Sequence, residues 1–127
     1  MQNNLWSPKS YRDATDEQRA NVCNGCGPSG WKAHLIPETV WGLSISAACN
    51  IHDWMYSEGG KESDRVFADR MFLINMQRLV DSKSKLKVLR WLRHRRIKKY
   101  FFAVKEWGGN YFSYRRVYDK NPAGSFF

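Results

Sequence analysis

Long apolar runs are missing from this sequence: none reaches the roughly 18 residues that a membrane-spanning helix needs. The opening residues, MQNNLWSPKS, also lack the apolar segment of a secretory signal. The chain is therefore expected to be soluble or to lie on a membrane without spanning it, and to be cytoplasmic or exported by a non-standard route. Cysteine is scarce as well. Cys23, Cys26 and Cys49 are too few for a disulfide scaffold, and their odd number leaves one thiol or metal ligand over unless chains pair. That points to a reducing compartment. No internal repeat is found, and no recognisable nucleic-acid-binding motif.

Acidic residues are absent from one long stretch. Between Asp81 and Glu106 there is none, while Lys83, Lys85, Lys87, Arg90, Arg93, Arg95, Arg96, Lys98, Lys99 and Lys105 crowd in, and the whole chain carries a net charge of +9. A block of one sign implies an anionic partner, a lipid surface or a nucleic acid, unless it is only a solvated helix face.

What is present is a globular composition. The 127 residues suffice for one domain, and 43% hydrophobic content with six Trp excludes a disordered chain. Residues 1–20 read as an irregular arm, followed by a helical turn opened by Thr15 with Gln18 three residues on, a capping-box spacing. Residues 23–37, CNGCGPSGWKAHLIP, hold glycines and prolines that forbid a regular element and favour tight turns.

A pair of helices is expected over 42–80. The first runs from Leu43 to Tyr56, with Ile45, Cys49, Ile51, His52 and Tyr56 near helical spacing and Gly59-Gly60 as the stop. The second runs from Glu62 to Leu79, capped by Ser63 or Glu62, with Val66, Asp69, Phe72, Leu73 and Met76 on one face. The Gly-Gly turn makes them antiparallel. A basic third helix is expected from Lys85 to Trp107, packing through Leu86, Leu89, Leu92, Ile97, Tyr100, Phe101 and Val104 and ending at Gly108-Gly109; the rest of 84–127 is an aromatic and basic tail. The fold class is all-α.

Two chemistries compete for the same residues. Cys23-x-x-Cys26 followed by Cys49-x-x-His52 is a four-ligand zinc pattern of three thiolates and an imidazole. It leaves Asp53, Tyr56 and Asp69 without a role. Alternatively, His52 and Tyr56 share a helix face while Asp53 projects about 100° away. The returning helix would bring Asp69, seventeen residues on, opposite His52. A carboxylate there holds one ring nitrogen and leaves the other as a base. Tyr56 can fix that carboxylate, and Asp53 can face the glycine-rich loop, whose carbonyls are hard donors suited to Ca²⁺. Taken singly, each residue has a plainer reading: Cys49 as a small buried hydrophobe, Asp69 as a surface carboxylate.

NGCGPSG, CNIHDWMY and FADRMF, in this order, resemble the phospholipase A2 superfamily, whose signature is a glycine-rich calcium loop, a helix with Cys-x-x-His-Asp-x-x-Tyr and a second helix bearing Asp. The likeness is nearest to the group XII and short bacterial branches and covers about residues 21–80. It implies calcium-dependent hydrolysis of the sn-2 ester of glycerophospholipids at a membrane surface, an anionic one given the basic block. His52 would be the base, Asp69 and Tyr56 its support, and Asp53 a Ca²⁺ ligand with Asn24, Gly25, Gly27 and Gly30 of the loop. It also implies a Cys26–Cys49 bond tying loop to helix, with Cys23 left over. Family cysteines are replaced by Ala48, Met55 and Ala68, and the loop has no Gly-x-Gly-Gly run. The basic helix, with Trp91, Tyr100, Phe101, Phe102 and Trp107, would dock on the lipid interface. The zinc reading implies instead a basic binding module for nucleic acid or an anionic membrane.

Overall fold

The computed structural model describes residues 5–23 and 36–113, and they are mostly helical. The elements in chain order are α1 (Lys9–Asp13), α2 (Asp16–Val22), β1 (Thr39–Val40), β2 (Leu43–Ser44), α3 (Ser46–Glu58), α4 (Glu62–Lys83) and α5 (Lys87–Trp107), with a 3-10 turn at Gly108–Asn110. The N-terminal arm, expected to be irregular, thus carries the short helix α1. Pro8 precedes α1, where a missing N–H costs nothing, and α2 opens on the expected box: Gln18 N–H donates to Thr15 Oγ1 and Thr15 N–H to Gln18 Oε1.

Asn75 ties the arm to the body. Buried in α4, its side-chain amide accepts from Trp6 N–H at 2.8 Å and donates to the Trp6 carbonyl at 2.9 Å, satisfying both polar groups of one backbone residue. Trp6 also stands edge-on to Phe67, and Trp54 of α3 meets Tyr11 and donates to Ser10 Oγ.

Two short strands form a feature the all-α reading did not contain. Thr39 pairs with Ser44 and Val40 with Leu43 in an antiparallel hairpin. Its tip, Trp41-Gly42, has φ of 47° and 79°, the left-handed geometry of a two-residue hairpin turn. Leu43 therefore belongs to a strand, and α3 begins three residues later than the periodicity suggested. Apolar alternation over two residues is too short to be told from the start of a helix.

The three long helices form the body, α4 packing against both α3 and α5. The main core joins Ile36, Val40 and Ile45 to Cys49 of α3, Phe72, Met76 and Val80 of α4, and Ile97, Tyr100 and Val104 of α5. Val66 and Leu86, assigned above to packing faces, are exposed; Leu86 is the N-cap residue of α5 rather than part of its packed face. The α4 cap position is Lys61 rather than Ser63 or Glu62: its N–H donates to Asp64, two residues further in than Glu62. α4 also runs four residues beyond Leu79, to Lys83.

The α3–α4 turn is stitched to the chain beyond α5. Gly60 N–H donates to the Ser113 carbonyl at 3.0 Å, and Ser113 N–H to the Tyr56 carbonyl at 3.1 Å. Gly59 makes this approach possible. At φ 69°, a Cβ there would lie 1.7 Å from the Ser113 oxygen. Gly59→Ala is accordingly expected to lower stability by at least about 2 kcal/mol, combining left-handed strain with loss of the stitch, as read from urea midpoints at unchanged m-value.

Candidate active site

The site is built from the facing sides of α3 and α4. His52 and Tyr56, one turn apart on α3, both point at Asp69 of α4, and all three are buried. His52 Nε2 lies 2.8 Å from Asp69 Oδ1, and the Tyr56 hydroxyl donates to the same oxygen at 2.7 Å. Because a carboxylate only accepts, Nε2 carries the ring proton and Nδ1 the lone pair. The imidazole is clamped between rings, stacked on Phe72 at 4.6 Å and tilted against Tyr56 at 4.2 Å. It has one orientation available.

Asp69 is 3% exposed, so its charge must be matched by donors. The third donor, Arg65, is one that the sequence reading missed. One turn before Asp69 on α4, its Nη1 lies 3.4 Å from Asp69 Oδ2 and also donates to the Lys105 carbonyl at 3.2 Å, while Nε and Nη2 form a fork on Glu62. The i,i+4 spacing of Arg65 and Asp69 was a visible signal. Which of several spaced charges turns inward depends on α5, whose end supplies the carbonyl.

The far side of Tyr56 is closed by the end of α5. Phe112 packs edge-on to its ring at 5.1 Å, and a Cβ on Gly108 would come within 2.4 Å of its hydroxyl oxygen. Burial first, and then the neighbouring Asp69 charge, hold the Tyr56 phenol far above the usual tyrosine range. It stays a donor throughout the working pH range.

Asp53, one residue after His52, is 8% exposed and projects from an adjacent edge of α3. Its carboxylate is a hard oxygen donor of the kind Ca²⁺ takes. The other expected ligands, Asn24, Gly25, Gly27 and Gly30, lie outside the described residues, as do Cys26 and the tail from residue 114. Among the described residues no three His, Cys, Asp or Glu side chains converge as a metal cluster.

The four-ligand zinc arrangement is not formed. Cys49 is in a disulfide, which removes its thiolate, and His52 is committed to Asp69. Cys23 keeps its thiol, whose Sγ donates to the Asn50 carbonyl at 3.1 Å.

Compared with known proteins, the chain matches no family model, no curated protein and no solved structure.

The Tyr56–Asp69 bond has a measurable pH signature. A phenol raised above the ordinary value of 10.0 in the folded state favours the protonated fold, so this stability is complete below pH about 10 and is lost as pH rises beyond it. Tyr56→Phe is expected to cost about 1.5–3 kcal/mol near neutrality and to flatten the decline above pH 10, both read by urea unfolding at a series of pH values.

Proposed function

We propose that the protein is a phospholipase A2-like hydrolase that cleaves the sn-2 ester of glycerophospholipids at a membrane surface in a calcium-dependent reaction. The observation that carries this reading is the buried His52–Asp69–Tyr56 arrangement: a base whose far nitrogen is held by a hydrogen-bonded carboxylate, with the Asp53 carboxylate at the next residue. A carboxylate opposite histidine suits general-base chemistry better than a structural role, since an apolar partner would fill the same space at lower desolvation cost.

In this mechanism His52 Nδ1 removes a proton from water as the water oxygen attacks the ester carbonyl carbon. Asp69 balances the imidazolium through Nε2–H, and Tyr56 and Arg65 hold Asp69 in place. As the tetrahedral intermediate collapses, His52 returns the proton to the leaving glycerol oxygen, releasing a fatty acid and a lysophospholipid. Ca²⁺, when held by Asp53 with carbonyls of the Asn24–Gly30 loop, supplies polarisation of the ester carbonyl and charge for the substrate phosphate. The basic α5 suits an enzyme whose substrate is packed in an anionic surface. Among the described residues no helix is long and apolar enough to cross a membrane.

Fatty-acid release from phospholipid vesicles is expected to require calcium. His52→Gln should lower kcat by about 10²–10⁴-fold with the fold intact by near-UV circular dichroism, and Asp53→Asn should raise the calcium concentration needed. Calcium-independent release, release unchanged in His52→Gln, or stoichiometric zinc bound through thiolates in the purified protein would each sink the proposal.

A further inference from the structure

The outward side of α5 has no part in the site described above. Arg93, Ile97, Tyr100 and Val104 form its buried stripe. Val88, Trp91, Arg95, Lys98 and Phe102 recur every three or four residues on the opposite side, centred about 180° round the helix from Arg93. Val88, Trp91 and Phe102 are 71%, 57% and 59% exposed. The helix therefore has two apolar stripes, and only one is covered by the core. The sequence reading gave Tyr100 and Phe101 both a packing role and a place at the lipid interface; only the packing role holds, since Tyr100 is buried and donates to the Thr39 carbonyl, and Phe101 packs against the core.

Midway along α5 the hairpin tip meets this cationic surface. Trp41, Leu92, Arg95, Arg96 and Lys99 line a cavity of about 200 Å³, below the ~300–1,000 Å³ of pockets for drug-sized ligands and suited to a small charged group. The Arg96 guanidinium lies 5.8 Å over the Trp41 ring, and that of Arg95 5.1 Å over Trp91. Arg93 beneath donates to the Trp41 carbonyl and to Ser84 Oγ, each at 2.8 Å, which fixes the tip on the helix. Among the described residues no carboxylate forms an ion pair with Arg93, Arg95, Arg96 or Lys99; the one ion pair of α5, at His94, is made with Asp81.

A cavity walled by three cations and an indole, with a fourth cation behind it and no acid among its described lining residues, favours an anion. We infer that it seats the phosphate of an anionic phospholipid, while Val88, Trp91 and Phe102 enter the interfacial layer of the bilayer beside it. The exposed apolar stripe decides between lipid and nucleic acid. On a duplex these three side chains would face phosphates or water, whereas in a bilayer they leave water, each at about 25 cal/mol per Å² of apolar surface. The seat lies apart from the His52 cluster: nine residues, about 13 Å of helix, separate Arg96 from Lys105, whose carbonyl marks the active-site end of α5. The seat anchors a second lipid. The inference deepens the membrane reading and takes from it only the presence of a lipid surface.

Sedimentation of the full chain with vesicles tests this in the presence of a calcium chelator, with no hydrolysis measured. Binding is expected to vesicles of phosphatidylcholine mixed with phosphatidylglycerol and to be at least tenfold weaker to phosphatidylcholine alone. The triple variant Arg95→Gln, Arg96→Gln, Lys99→Gln should weaken binding on the order of 100-fold, roughly fivefold per charge. Lys61→Gln, Arg70→Gln, Lys83→Gln removes the same charge elsewhere and should weaken it less than tenfold. Equal losses in the two triples would reduce the effect to net charge and overturn the seat. So would equal binding to both vesicle types, or inorganic phosphate bound in calorimetry by a protein that ignores vesicles. Duplex DNA bound more tightly than anionic vesicles, and released by the first triple, would reassign the face to nucleic acid. Because calcium and catalysis play no part in the readout, the seat and the proposed hydrolysis can fail independently.

Discussion

Burying the Asp69 carboxylate is the constraint around which the body of the protein is arranged. An ion out of water costs several kcal/mol unless donors surround it, and here His52 and Tyr56 of α3 and Arg65 of α4 supply them. Each donor needs a further element to hold it. His52 is clamped by Phe72 and Tyr56, Tyr56 by Phe112 and the space left at Gly108, and Arg65 by Glu62 and the Lys105 carbonyl. The α3–α4 pair and the end of α5 therefore depend on one buried charge. Removing a single partner of such a charge costs more than any one of the contacts contributes, because the remaining groups are left desolvated and unmatched.

That dependence gives the site its rigidity. The hydrogen bond to Asp69 holds the His52 ring in one direction and would stabilise its protonated form, as the proposed general-base role requires. The imidazole cannot turn without breaking that bond and its stacking on Phe72. Meanwhile the Gly60–Ser113 and Ser113–Tyr56 backbone bonds lock the turn that sets how α3 and α4 face each other. Local backbone geometry and the orientation of the His52 imidazole are thus one problem with one solution.

The two ends of the proposed chemistry sit on different surfaces. Between α3 and α4 lies a dehydrated polar cluster; on the outside of α5 lies an exposed array of cations and aromatic rings. A charge network worth several kcal/mol when dry would be worth little in water, and cations that attract a membrane would be wasted inside. The cross-link at Cys49 adds to this division, since it ties the turn of α3 immediately before His52 to another part of the chain.

Legible in the residue order were the helical pair, the Gly-Gly turn between its members, the capping box at Thr15 and, through a count of seventeen residues, the facing of His52 and Asp69. Periodicity, glycine stops and side-chain oxygens act within a turn or two of the chain, so they are readable there. The sequence also marked the cation block, though as a list of charges without a direction. Tertiary structure alone decided what depends on a neighbour: that Arg65 turns inward to the Lys105 carbonyl, that Asn75 captures Trp6, that Leu43 joins a hairpin with a left-handed Trp41, and that Tyr100 is core while Trp91 and Phe102 are surface. Each of these choices is set by a contact across tens of residues, and propensity carries no information about which distant group will be there to accept it.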